Sequence, residues 1–182
     1  MKYALPAQFF LYVGAAKQHK NVQMLIDACP EHTTLILVTG GKESAALRLR
    51  KNVKILSSVP DEDLPALYSS ALCFISPSLA EGFNFPALEA LACGCPVIAT
   101  RRGSSPEIAG GFATLIEPTE EALRRALENP PSGNREKALA HARTFSWEIT
   151  ASETAKIYAK VYAAHYGTHL HPPSQGSSEA GY

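Results

Sequence analysis

The sequence predicts an α/β fold: a doubly wound, Rossmann-like parallel sheet of about six strands, with helices on both faces and a helical C-terminal extension. Three observations predict it. Short apolar runs such as FFLYV, TLILV and PVIAT recur along the chain without polar alternation, as strands buried on both faces do. Segments with apolar residues at helical spacing lie between the runs, the order that builds parallel crossover units. After residue 117 the runs stop and the pattern is helical as far as residue 166.

The elements follow in order. FFLYVG (9–14) is a first strand ending at Gly14. NVQMLIDAC (21–29) places Val22, Leu25, Ile26 and Cys29 on one helical face. TLILVTGG (34–41) is a second strand running into the Gly40–Gly41 turn, and KESAALRLR (42–50) reads as a short helix. NVKILSSV (52–59) is a third strand. Asp61 is a candidate cap for a helix over 61–71, with Pro65 in its first turn. LCFISPS (72–78) is a fourth strand, and FPALEALACG (85–94) a helix closed by Gly94. PVIAT (96–100) and FATLI (112–116) complete the sheet. Helices are expected over 119–129, 134–145 and 147–166, and a disordered Gly, Ser, Pro and His rich tail over 167–182. In such a sheet ligands bind at the carboxyl ends of the strands. The loops to watch are therefore 14–20, 39–42, 57–61, 78–86 and 100–107.

Composition narrows the function classes. With 182 residues, 46% hydrophobic, the chain can bury a full core. Lys plus Arg equals Asp plus Glu at 17 each, so no bulk charge attracts nucleic acid or an acidic membrane. No apolar run reaches the roughly 18 residues of a membrane span, and MKYALPAQFF lacks the pattern of a cleaved leader. Cys29, Cys73, Cys93 and Cys95 read as apolar-environment thiols in a reducing compartment, and a cytoplasmic location is expected. Cys93-Gly94-Cys95 has too few intervening residues for a metal pair.

Two stretches carry chemistry. VGAAKQHKN follows the first strand, and Lys20 stands near the start of the next helix, where a phosphate is attracted by the helix end and by the ammonium. Read alone, Lys20 is better taken as a solvated surface lysine. The stretch has neither the P-loop glycines nor G-x-G-x-x-G, which argues against a P-loop ATPase or a dehydrogenase. EGFNFPALE (81–89) follows the fourth strand. Pro86 suits a first helical turn, and the backbone of Gly82 to Phe85 can cradle a phosphate or sugar hydroxyl. Glu89, one turn inside the helix, is a bidentate acceptor matched to a vicinal diol such as ribose. Glu81 either accepts from sugar hydroxyls or balances the charge of Lys20. The plain alternatives are a salt-bridge carboxylate and a solvated loop charge.

The ordered set LYVG, HKN, LVTGG, VKILSSVPDEDLPALYSSA, EGFNFPALE, ALACGCPVIAT, GSSPEIAGGFATLIEP and FSWEITASETAKIYAKVY resembles the C-terminal domain of retaining glycosyltransferases of GT-B architecture, the family GT4. The resemblance covers roughly residues 8 to 163. It implies a nucleoside diphosphate sugar as donor substrate, no further cofactor and no metal. Lys20 matches the lysine on the donor diphosphate, and Glu89 the glutamate that holds the ribose hydroxyls. Glu81 matches the glutamate beside the transferred sugar. The backbone of Gly82, Phe83, Asn84 and Phe85 matches the loop touching sugar and phosphate. Gly14, Gly40 and Gly41 match the turns beside the nucleotide, and Val59 and Leu64 the place of the base. Ser104, Ser105 and Glu107 match a segment that is more structural than catalytic. Two positions depart from the pattern. Ala15 stands where such enzymes carry an arginine paired with the lysine; Lys17 is a partial substitute without the bidentate fork. Asn84 stands where glycine is common.

The resemblance also implies a second, N-terminal domain that binds the acceptor, in cis or as a separate subunit. Residues 1–7 correspond to the interdomain linker and 8–166 to the nucleotide-sugar-binding domain. Any membrane association would come through the other half. The expected function is the donor-binding half of a sugar-transferring enzyme, incomplete alone. The alternative is a non-catalytic nucleotide-sugar-binding module or one subunit of a split enzyme.

Overall fold

The computed structural model describes residues 2–167, which fall into two compact units divided after Thr144. The tail expected over 167–182 lies, from residue 168 on, outside the described residues.

The first unit holds a six-stranded, all-parallel sheet: β1 (Phe9–Val13), β2 (Thr34–Val38), β3 (Val53–Leu56), β4 (Cys73–Ser76), β5 (Val97–Thr100) and β6 (Ala113–Ile116). The strand order is β3-β2-β1-β4-β5-β6. In-register pairs such as Leu11 with Ile36, and Leu11 with Phe74, place β1 at the centre. Because side chains alternate across a strand, β1 feeds two apolar layers. Phe9 and Leu11 join Leu67, Tyr68, Phe74, Ala90 and Leu91 on one face. Phe10 and Tyr12 join Leu25, Ile26, Leu35, Ile75 and Leu123 on the other. That is why the strand runs show no polar alternation. The first layer is covered by α2 (Leu64–Ser70), α3 (Phe85–Ala92) and α6 (Arg135–Ala142), the second by α1 (Val22–Ala28) and α5 (Glu120–Glu128).

The helix ends have local causes. Thr119 and Asn134 cap α5 and α6 by accepting from the backbone N–H groups of Ala122 and Lys137. Gly94 takes φ 69° after α3, as the sequence expects of a C-terminal stop. A five-residue α4 (Ser105–Ala109), absent from the sequence reading, follows β5. Two expectations are corrected. The helix over 42–50 is only a 3-10 turn over Lys42–Ala46; Leu49, which a packed helix would bury, is 50% exposed. Asp61 does not cap a helix over 61–71. Residues Asp61–Asp63 form a 3-10 turn, α2 begins at Leu64, and Pro65 stands in its first turn. Asp63, the residue before α2, has its carboxylate on Lys2 (2.5 Å) and the Tyr3 hydroxyl instead of on the helix end.

The second unit carries α7 (Trp147–Tyr166), capped by the Ser146 hydroxyl, which accepts from the Ile149 N–H. Ile157, Tyr158 and Val161 on α7 are exposed. No helix among the described residues is long and apolar enough to cross a membrane.

Candidate functional site

The strand order reverses direction between β1 and β4, and in a doubly wound sheet the carboxyl ends of the strands at that switch point are where ligands bind. The loop after β1 ends in a 3-10 turn, Gln18–Lys20, held by the Lys20 N–H donating to the Lys17 carbonyl at 2.9 Å. Asn21 then takes a left-handed conformation, φ 53°, and α1 begins. This geometry turns Lys20 toward the loop after β4. Its ammonium donates to both oxygens of Glu81, at 2.7 and 2.8 Å. The pair is largely enclosed: the side chains are 22% and 8% exposed. The two loops are also joined through backbone, the Leu79 N–H donating to the His19 carbonyl at 2.7 Å. Below them the Tyr12 hydroxyl donates to the Ala15 carbonyl at 2.8 Å and shapes the turn at Gly14. Burial, and secondarily the Glu81 carboxylate, raise the Tyr12 pKa well above the ordinary phenol value, so Tyr12 stays a donor.

Glu89 lies one turn inside α3, exposed, with Oε2 accepting from the Tyr68 hydroxyl at 2.8 Å. Tyr68 is 1% exposed. Its pKa is likewise raised, by burial first and by Glu89 second. The phenol is thus a fixed donor to one oxygen of Glu89. The Tyr68 ring is set edge-on against Phe74, centroids 5.6 Å apart.

A third group of residues lines a cleft of about 380 Å³ over the ends of β1, β2 and β3. Gly14, Gly40, Val59 and Leu64 all border it, together with Ala15, Thr39 and Asp61. Thr39 is 5% exposed and its hydroxyl has no hydrogen-bond partner among the described residues.

The predicted residues are thus brought together in part. Lys20 and Glu81 form one cluster, and Gly14, Gly40, Val59 and Leu64 another. Gly41 does not border the cleft; it takes φ 86° and leads the 42–46 turn. Lys17 contributes its carbonyl to the loop while its side chain is exposed and makes no ion pair among the described residues. Phe83 and Phe85 stack on each other at 4.5 Å, with Phe85 48% exposed. Gly82 is exposed, with open space beside its Cα. Asn84 takes the left-handed conformation that glycine would, φ 74°, with its side chain buried. Sequence reasoning missed Tyr68 and Thr39. Tyr68 carried a signal, a phenol on the buried face of the α2 pattern. Thr39 carried none beyond its place at a strand end.

A family model described as "Glycosyl transferases group 1" matches residues 4–143. The chain is 33% identical over 180 residues to O-antigen chain mannosyltransferase B of Escherichia coli, a match covering 86% of this chain and 47% of that protein. It is 30% identical over 175 residues to D-inositol 3-phosphate glycosyltransferase of Corynebacterium glutamicum, covering 81% of this chain and 42% of that one. Among solved structures, sucrose-phosphate synthase from Thermosynechococcus elongatus superposes with a TM-score of 0.71 at 26% identity, over 90% of this chain and 48% of that one. The chain spans about half the length, or less, of these relatives.

Proposed function

The chain belongs to the group 1 glycosyl transferases, and on that premise we propose that it is the donor-binding half of a retaining enzyme that moves a sugar from a nucleoside diphosphate sugar to an acceptor hydroxyl. The observation that carries the reading is the Lys20 ammonium astride both oxygens of Glu81 at the β1–β4 switch point. A base enters the cleft bordered by Val59 and Leu64, and the ribose reaches the carboxylate of Glu89. The diphosphate lies between the amino end of α3 and Lys20. An ammonium has three donors, so Lys20 can take a phosphate oxygen while keeping a bond to Glu81.

The chemistry follows from charge. As the anomeric bond breaks, negative charge grows on the leaving diphosphate, and Lys20 with the α3 backbone stabilises it in place. A carboxylate with both oxygens held by one ammonium is a weak nucleophile. This supports a front-face reaction in which the leaving phosphate helps to deprotonate the acceptor, and Glu81 orients the sugar rather than attacking it.

The acceptor side belongs to a second domain, in cis or as another subunit. Support comes from the share of each relative that the chain spans, and from the apolar residues Ile157, Tyr158 and Val161 exposed on α7. The test is transfer: the chain joined to an acceptor half gives product with the anomeric configuration of the donor, read by NMR. Inverted product overturns the retaining mechanism, and measurable transfer by this chain alone overturns the half-enzyme reading.

A further inference from the structure

The loop that carries Glu81 is held from behind at three points, by the turn between β5 and α4 and by the first residue of α4. At Gly103, φ 56°, a Cβ would lie 2.5 and 2.7 Å from the backbone oxygen and nitrogen of Glu81. No side chain fits there, and the left-handed backbone is itself costly to any residue but glycine. Next in sequence, the Ser104 N–H donates to the Glu81 carbonyl at 3.3 Å. Then Ser105, 2% exposed, accepts from Asn84 Nδ2 at 3.1 Å through its hydroxyl. The same amide donates to the Ser76 hydroxyl at the end of β4, at 3.0 Å. Asn84 is 4% exposed and occupies the N-cap position of α3, where an asparagine side chain ordinarily accepts from the helix's own N–H groups. Here it makes no such bond and ties the loop sideways to β4 and α4.

We propose that Gly103, Ser105 and Asn84 are positioning residues: a buttress that sets the pose of the Glu81–Asn84 loop against the donor diphosphate. The proposal deepens the donor-site reading and rests on it. None of the three residues lines the base cleft. Its loss should therefore be felt at the phosphate end of a ligand and not at the base end. Asn84 also accounts for a departure from glycine at this position: asparagine tolerates the left-handed conformation and adds two hydrogen bonds that glycine lacks.

Two variants test it. Gly103→Ala drives a methyl group into the Glu81 backbone, and Asn84→Gly keeps the backbone conformation while removing the amide. Ser105→Ala, a smaller change, guards against misfolding of either. UDP, GDP and ADP are titrated alongside uridine, guanosine and adenosine by ligand-observed NMR, and amide hydrogen exchange is followed at residues 82–84. For Gly103→Ala and Asn84→Gly the expected result is diphosphate binding weakened about tenfold or more, with nucleoside binding changed less than about twofold. Ser105→Ala weakens diphosphate binding about threefold. In all three, exchange at residues 82–84 accelerates while β1 and β2 stay protected. Equal losses for diphosphate and nucleoside, or a melting temperature that falls with the diphosphate-to-nucleoside ratio and the local exchange unchanged, overturns the buttress. If the wild-type chain binds no diphosphate, the donor-site reading fails, and the exchange data alone still decide the buttress.

Discussion

Removing one hydroxyl tests how Glu89 works. In Tyr68→Phe the ring keeps its edge-on packing with Phe74, so the core is undisturbed. What is lost is the 2.8 Å bond to Glu89 Oε2. Glu89 is exposed, so water replaces the lost donor and stability falls by only about 0.5–1.5 kcal/mol. The consequence for binding is entropic: an unheld glutamate must be ordered when ribose arrives, at about 0.5–1.5 kcal/mol, or about twofold to tenfold in affinity. Glu89→Ala removes charged hydrogen bonds to the diol, each about 1.5–3 kcal/mol, and so costs about tenfold or more. The assay is calorimetric titration of wild type, Tyr68→Phe and Glu89→Ala with a nucleoside diphosphate and with its 2′-deoxy form. If Glu89 holds the ribose, the 2′-deoxy penalty is large in wild type, smaller in Tyr68→Phe and absent in Glu89→Ala. Additive losses, with the same deoxy penalty in all three proteins, refute the assignment, because groups that do not interact add.

Three further outcomes are expected. Lys20→Ala leaves the mostly buried Glu81 carboxylate without its partner and lowers stability by about 1–3 kcal/mol; Lys20→Ala with Glu81→Ala restores most of the melting temperature but not diphosphate binding. Tyr12 and Tyr68 have folded pKa values above the ordinary 10.0. Their contribution is therefore complete below about pH 10 and is lost above it, where only the unfolded chain gives up the protons, at about 1.4 kcal/mol per pH unit for each. Denaturant midpoints at pH 9, 10 and 11 check this, and a flat profile contradicts the buried-donor account. Burial pushes the Cys29 thiol up to about 11 and Cys95 up to about 12, so at pH 8 about one in a thousand Cys29 thiols or fewer is ionised; Ellman's reagent should leave both unlabelled until the chain unfolds.

Much of the fold was legible because a parallel sheet covered on both faces writes itself as unbroken apolar runs. FFLYVG, TLILVTGG and PVIAT are such runs, and β1, β2 and β5 lie within them. KESAALRLR failed because helical spacing over nine residues does not by itself supply a surface to pack on, and only the 42–46 turn formed. A contact was legible where each residue's own charge calls for the other. The reading of Glu81 as a balance for Lys20 is the contact found, at 2.7 Å. A contact was not legible where a polar side chain meets a neutral partner distant in sequence. Tyr68 lies 21 residues before Glu89, and Ser105 the same distance after Asn84. Nothing local marks either pair. Asn84 looked like a departure from glycine; only the fold shows that its amide has two hydroxyls to bind.

The central claim is that the carboxyl ends of the strands around the β1–β4 switch point hold a nucleoside diphosphate. Calorimetric titration of the wild-type chain and Lys20→Ala with UDP, GDP and ADP tests it most directly. The account predicts that at least one of the three binds the wild type at millimolar concentration or tighter, and that Lys20→Ala weakens it about tenfold or more. No binding of any of them at millimolar concentration, or binding that Lys20→Ala leaves unchanged, contradicts it.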